Sequence, residues 1–255
     1  MKYGLCCGPE GFALASGAGL DYAEPAFAAL HNMDDEQIAR IKRAAKDAGI
    51  TIDGFNGFFG GEIMLHRDGV DEILSYAEKN FQIARMLDAS YCVLGSGRNR
   101  AVPEGADREA AADRFRMLLD RIGTAGKKYG VRVYLEPLRY AESNLINTFS
   151  EGVEFCRGIG NDNVGCMLDL FHFFMNGEDL SVIDGLRPGE LGHIHIARPN
   201  ADRGCPRESD RQTIGEWAKK LKEYGYDGRI SLEYVRGADQ ASELAEAAGV
   251  LKIFG

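Results

Sequence analysis

VRVYLEPL, residues 131–138, is a short β-branched and apolar run with a glutamate near its end. An amphipathic stretch over 108–128 precedes it, and TFSEGVEFCRGIG, with Thr148 as N-cap, follows it, so the segment reads as a strand between two helices. The same rhythm extends in both directions. Before it come the strands KYGLCC, LDYAEPAF, TIDGFNGF and SYCVLGSG; after it come NVGCMLDLF, GHIHIA and RISLEYV. Helical periods separate them: a brief piece at 11–17, DDEQIARIKRAAKDAG with its acidic start and Gly49 stop, 70–87, 178–186, 211–224 and 238–251. Eight strand-helix units in series demand a parallel sheet with right-handed crossovers, and closed on itself this is an α/β protein with a (β/α)8 TIM-barrel fold. CCGPEG after the first strand does not match the GxGxxG of an open dinucleotide-binding sheet. No linker or composition shift interrupts the series, so residues 1–255 read as a single domain.

Composition narrows the function. Thirty basic residues against 39 acidic give a net charge of −9, which disfavours a nucleic-acid partner. No apolar run spans a membrane, and the apolar part of MKYGLCCGPEGF is too short for a signal peptide, so a cytoplasmic location is expected. The six cysteines lack CxxC spacing and read as reduced structural thiols.

Catalytic groups of such barrels sit at the C-terminal ends of the strands. There, strands five to eight carry Glu136, Asp169, His195 and Glu233. LEPL, MLDLF and SLEY each place one acid inside an apolar strand, where a lone charge is costly without a metal or partner. Three carboxylates and an imidazole suit one hard divalent ion, Mn²⁺ foremost, with Mg²⁺, Co²⁺ or Zn²⁺ as alternatives. Strand alternation turns Tyr134 and Arg132 inward with Glu136, and His193 inward with His195. His193 reads as a satisfied interior histidine. Glu24 and Asn56, at the ends of strands two and three, are candidates to line the pocket. The loop arginines Arg198, Arg203 and Arg207, and the glycines of GSGRNR (95–100), are candidates to receive an anion, while Phe171, Phe173, Phe174 and Trp217 read as core or pocket wall.

These motifs together, LEPL with Glu142 and LINT, MLDLFHFFMNGEDL, GHIHIA with a downstream RGCP, and SLEY, resemble the xylose isomerase-like TIM barrels, and among them the ketose 3-epimerases of the tagatose and allulose type. The likeness is strongest over 131–235. It implies a metal on Glu136, Asp169, His195 and Glu233, with Glu136 and Glu233 as the acid/base pair and Glu142, His172 and Arg203 holding substrate hydroxyls. The implied reaction removes the proton next to a ketose carbonyl through a metal-stabilised enediolate, as an epimerase or an aldose–ketose isomerase. An inosose dehydratase-like lyase and a non-catalytic sugar-binding barrel remain alternatives; the substrate is a sugar or sugar-like molecule, and a homo-oligomer is left open. Arg198 stands where the epimerases usually carry an acid, a departure that bears on substrate identity.

Overall fold

A computed structural model describes residues 1–255. Nine parallel strands, β1 (Lys2–Leu5), β2 (Tyr22–Ala23), β3 (Thr51–Ile52), β4 (Gly54–Phe55), β5 (Tyr91–Leu94), β6 (Arg132–Leu135), β7 (Val164–Asp169), β8 (Leu191–Ile196) and β9 (Arg229–Leu232), follow the order β3-β2-β1-β9-β8-β7-β6-β5-β4. The first and last of that order are consecutive in the chain. They are two halves of the expected third strand, broken at Asp53: β3 pairs with β2 and β4 with β5, which nearly closes the barrel. Asp53 makes the change of partner because its carboxylate turns aside to Lys2 Nζ (3.2 Å), Arg229 Nε (2.7 Å) and Thr51 Oγ1 (2.7 Å).

Local signals set the helix ends. Asp34 and Gln37 form a capping box at the start of the helix Asp35–Asp47, which buries Ile38, Ile41 and Ala45, and Thr148 does the same with Glu151 for Phe149–Ile159. Such a cap is worth about 1 kcal/mol. Two expectations need correction. The segment expected as a helix over 178–186 is a 3₁₀ helix, Leu180–Gly185, too short to offer an amphipathic face. NVGCMLDLF does not remain extended to Phe171: β7 stops at Asp169, whose Oδ1 accepts from Phe171 N (2.7 Å) and His172 N (3.4 Å) and so starts the short helix Leu170–Met175.

One cluster of 63 buried residues fills the layer between sheet and helices. The barrel interior is separate and aromatic: Tyr22, Tyr91, Val93 and Met167, with Tyr134 against them. Glycines make room for the tyrosines. Gly4 lies beside Tyr22 and Gly54 beside Tyr91 on neighbouring strands, and a Cβ at either would enter the ring; a Cβ at Gly192, two strands away on β8, would likewise enter the Tyr134 ring. No helix is long and apolar enough to cross a membrane.

Candidate metal centre

Above this aromatic layer the strand ends bring together the four residues singled out from the sequence. Ligand atoms of Glu136, Asp169, His195 and Glu233 lie within 4.8 Å of one another. Asp169 and His195 end or nearly end β7 and β8 and are register partners; Glu136 and Glu233 sit one residue past β6 and β9. Gly95, after β5, leaves the Glu136 carboxylate its space, since a Cβ there would run into Oε2.

The orientation of His195 is fixed from below. Its Nε2 meets Glu24 Oε1 at 2.9 Å, which leaves Nδ1 facing Glu233 Oε2 (3.3 Å) and Glu136 Oε1 (3.8 Å). A carboxylate behind an imidazole sets the tautomer and the ring plane of a metal-binding histidine. His195 Nδ1 is buried and has no hydrogen-bond partner, and neither has His172 Nδ1 or Arg203 Nε. Orphaned buried nitrogens are costly in a finished core and ordinary in a ligand site.

Electrostatics divide the acids. Burial raises the Glu136 pKa, with the charge of Glu233 adding to it. Burial would raise Glu233 as well, but His195 and Arg203 beside it hold it down at about 2. For His195 burial favours the neutral ring, yet the surrounding acidic groups, Cys6, Glu24 and Glu233, lift its pKa well above the usual range. The cluster is thus short of positive charge at its centre.

The three residues expected to hold substrate also converge. His172 Nε2 lies 3.4 Å from Asp169 Oδ2, 3.7 Å from Glu136 Oε1 and 3.9 Å from Glu142 Oε2. Arg139 Nε donates to Glu142 Oε1 at 2.6 Å. Arg203, held at a left-handed φ of +50°, donates through Nη2 to Asp169 Oδ2 (2.9 Å) and to Glu233 Oε2. Phe171, fully buried, is the wall on which the Arg203 and Arg139 guanidiniums stack, at 4.9 and 5.0 Å from the ring centre.

Other expectations resolve differently. Glu24 is not a pocket-lining group but a fully buried one beneath His195, and Asn56 Nδ2 donates to its carbonyl (3.4 Å). Arg198 is paired with Asp202 and Asp210, and Arg207 caps the 3₁₀ turn at Glu208–Asp210; neither joins the cluster. The GSGRNR loop holds no anion cradle: a Cβ at Gly97 would meet the Glu142 carbonyl, and Arg100 is buried, donating to the carbonyls of Gly95 (2.8 Å), Glu136 (2.9 Å) and Ile146 (3.1 Å). Arg100, unremarkable in the sequence, ties the loop after β5 to the loop after β6 and so places Glu136.

The fold and this rim define a class. The family model described as the xylose isomerase-like TIM barrel matches residues 12–253, and the chain belongs to that family. Curated relatives include the D-psicose 3-epimerase of Agrobacterium fabrum, 26% identical over 221 residues covering 84% of this chain and 75% of that protein. A putative hydroxypyruvate isomerase of Streptomyces coelicolor is 27% identical over 226 residues, 82% and 78% of the two chains. Among solved structures, a D-psicose 3-epimerase determined in the presence of D-fructose superposes over all of both chains with a TM-score of 0.81 at 20% identity.

Proposed function

We propose that this chain is a divalent-metal-dependent sugar isomerase or epimerase, acting on a ketose by moving the proton next to its carbonyl. The observation that carries the reading is the orphaned Nδ1 of His195 among three carboxylates, an arrangement fitted to a cation. Glu136, Asp169, His195 and Glu233 would hold the ion, Mn²⁺ being the best match to the donor set. When bound, a divalent ion supplies polarisation of the carbonyl and so acidifies the neighbouring C–H.

The chain's own residues supply the rest. Glu136 and Glu233 come from β6 and β9, with β7 and β8 between them, so they flank a molecule lying in the mouth. One carboxylate removes the proton and the other returns it from the opposite face, which inverts the carbon; their oppositely displaced pKa values suit an acid and a base in one site. His172, Glu142 and Arg203 hold hydroxyls and fix the reacting geometry. Phe171 keeps the Arg203 side chain aimed into the mouth. The continuous core supports residues 1–255 as one domain, and six free cysteines suit a reducing, cytoplasmic setting.

The relatives carry different substrate names, so substrate class is tested directly. Ketoses, aldoses, inososes and short hydroxycarbonyl acids are incubated with the protein and Mn²⁺ in D₂O and followed by NMR. Deuterium at the carbon next to a ketose carbonyl, with inversion there, is the expected result. No exchange into any member of the panel would defeat the enzymatic reading in favour of a binding protein.

A further inference from the structure

Four buried side-chain nitrogens lack a hydrogen-bond partner, and only three belong to the metal centre; the fourth is Arg132 Nε, at the opposite end of the barrel. Arg132 begins β6, four residues and two layers below Glu136. Its guanidinium makes no ion pair and no hydrogen bond, and its one aromatic neighbour is Tyr134, 5.5 Å from the ring centre. Its counterpart on β9, Arg229, is by contrast neutralised by Asp53 at 2.7 Å.

Arg132 borders a cavity of about 220 Å³ that opens at the N-terminal ends of β6, β7 and β8. Charged groups around it are three arginines, Arg132, Arg157 and Arg187, against one acid, Glu190, in a chain whose net charge is −9. Glu190 is already spent on Arg157, whose Nε and Nη2 donate to it at 2.7 and 2.6 Å. Arg187 Nε stays 4.0 Å from Glu190 and makes no hydrogen bond. Asp162, the acid near Arg132 on this rim, is taken by Lys127 Nζ at 2.7 and 2.8 Å. The floor is glycine: a Cβ at Gly165 would stand 3.6 Å from Arg132 Nη2, and Gly160 and Gly189 take left-handed φ values of +68° and +83°. An uncompensated guanidinium with an open approach is matched by a small tetrahedral oxyanion, which its planar fork binds through two parallel hydrogen bonds.

We propose that this cavity is an oxyanion site for phosphate, free or as the ester group of a small molecule, with Arg132 as its principal donor and Arg187 as its outer cation. The site is separate from the metal centre and does not depend on the reaction assigned there. Its test is a titration of the ¹⁵N-labelled protein with inorganic phosphate, and in a second arm with methyl phosphate, at constant ionic strength balanced by NaCl. Saturable shifts of the Gly160, Gly165 and Gly189 amides are expected, at least tenfold weaker in binding for Arg132→Gln, and about two- to fivefold weaker for Arg187→Gln. Binding of methyl phosphate as tightly as phosphate would assign the site to esters; binding of phosphate alone would assign it to the free ion. Shifts that stay linear with concentration, or affinities unchanged in Arg132→Gln, would overturn the proposal. Arg132→Lys, which keeps the charge, guards against a folding defect: affinity between those of wild type and Arg132→Gln supports the site, and affinity equal to wild type counts against bidentate recognition by Arg132.

Discussion

Two glutamates of this barrel stand in the same local text and in opposite surroundings. Tyr22-Ala23-Glu24-Pro25 leaves β2, and Tyr134-Leu135-Glu136-Pro137 leaves β6. Both carboxyls are buried. Glu24 receives four groups: Tyr91 Oη at 2.8 Å, Ser231 Oγ at 2.6 Å, His193 Nε2 at 3.0 Å and His195 Nε2 at 2.9 Å. Burial alone would raise its pKa, but His195 and His193 draw it well below the carboxylate range. Glu136 has no such company: its nearest imidazole nitrogens, His172 Nε2 and His195 Nδ1, stop at 3.7 and 3.8 Å, and burial pushes its pKa up. The difference teaches that burial of a carboxylate is not a signature of function. Glu24 is a finished part of the scaffold, whereas Glu136 is an acceptor with its donors withheld.

The largest effect that can separate the two is on chemistry. Glu136→Gln keeps the shape and removes the proton acceptor, so solvent-deuterium exchange next to the ketose carbonyl should fall by about two to four orders of magnitude. Its thermal midpoint should hold or rise, because an unpaired buried charge is gone. Wild-type exchange in this variant would remove Glu136 from the acid/base pair. Glu24→Gln should do the reverse in kind. It strips charge from a four-donor network at the barrel centre, and urea unfolding should show a loss of about 3 kcal/mol. A Glu24→Gln protein as stable as wild type would mean that the network beneath His195 is not what holds the interior.

Next in size is a pair of glycines that asks the same question of space. Gly54→Ala would press a methyl group into the Tyr91 ring, which has no freedom to move, and should cost about 1–3 kcal/mol. Gly95→Ala meets the end of the Glu136 side chain, which is able to turn away. It should leave stability nearly intact and lower Mn²⁺ affinity in equilibrium dialysis. If both variants lose stability equally, Glu136 is as rigidly packed as Tyr91, and the contrast between scaffold and site weakens.

The sequence carries some of this contrast and hides the rest for a physical reason. Caps such as Asp34 and Thr148 act over three residues, so the strand–helix rhythm can be read directly. An acid inside LEPL, MLDLF or SLEY stands out because its apolar neighbours are adjacent in the chain. What divides Glu24 from Glu136 is remote: the donors to Glu24 come from positions 67, 169, 171 and 207 residues away. Only the closed barrel assembles them, and the same holds for Arg100, whose carbonyl partners lie 36 and 46 residues on in the next loop. The break at Asp53 was hidden likewise, because the cations that turn its carboxylate aside are Lys2 and Arg229, from β1 and β9.

A third carboxylate falls between the two extremes and gives the smallest effect, one that tests the rule by degree. Glu178 is partly covered and accepts one backbone hydrogen bond, from Phe149 N at 2.8 Å. Burial pushes its pKa up to about 7, with the bond from Phe149 N and a weaker one from the Asn176 side chain pulling the other way. The folded protein therefore keeps a proton that the unfolded chain releases near the ordinary glutamate value. The favourable balance is complete below about pH 4.3 and is lost as pH rises through about 7. A displacement of this size in a fully desolvated carboxyl would correspond to about 3 kcal/mol, and solvent reaching Glu178 reduces it to about 1 kcal/mol. Glu178→Gln retains an acceptor for Phe149 N without the titration, so its urea midpoint should match wild type at pH 4 and exceed it at pH 8. The opposite slope, with the variant losing ground as pH rises, would mean that Glu178 is stabilised as a carboxylate after all, and that the count of donors does not order these three acids.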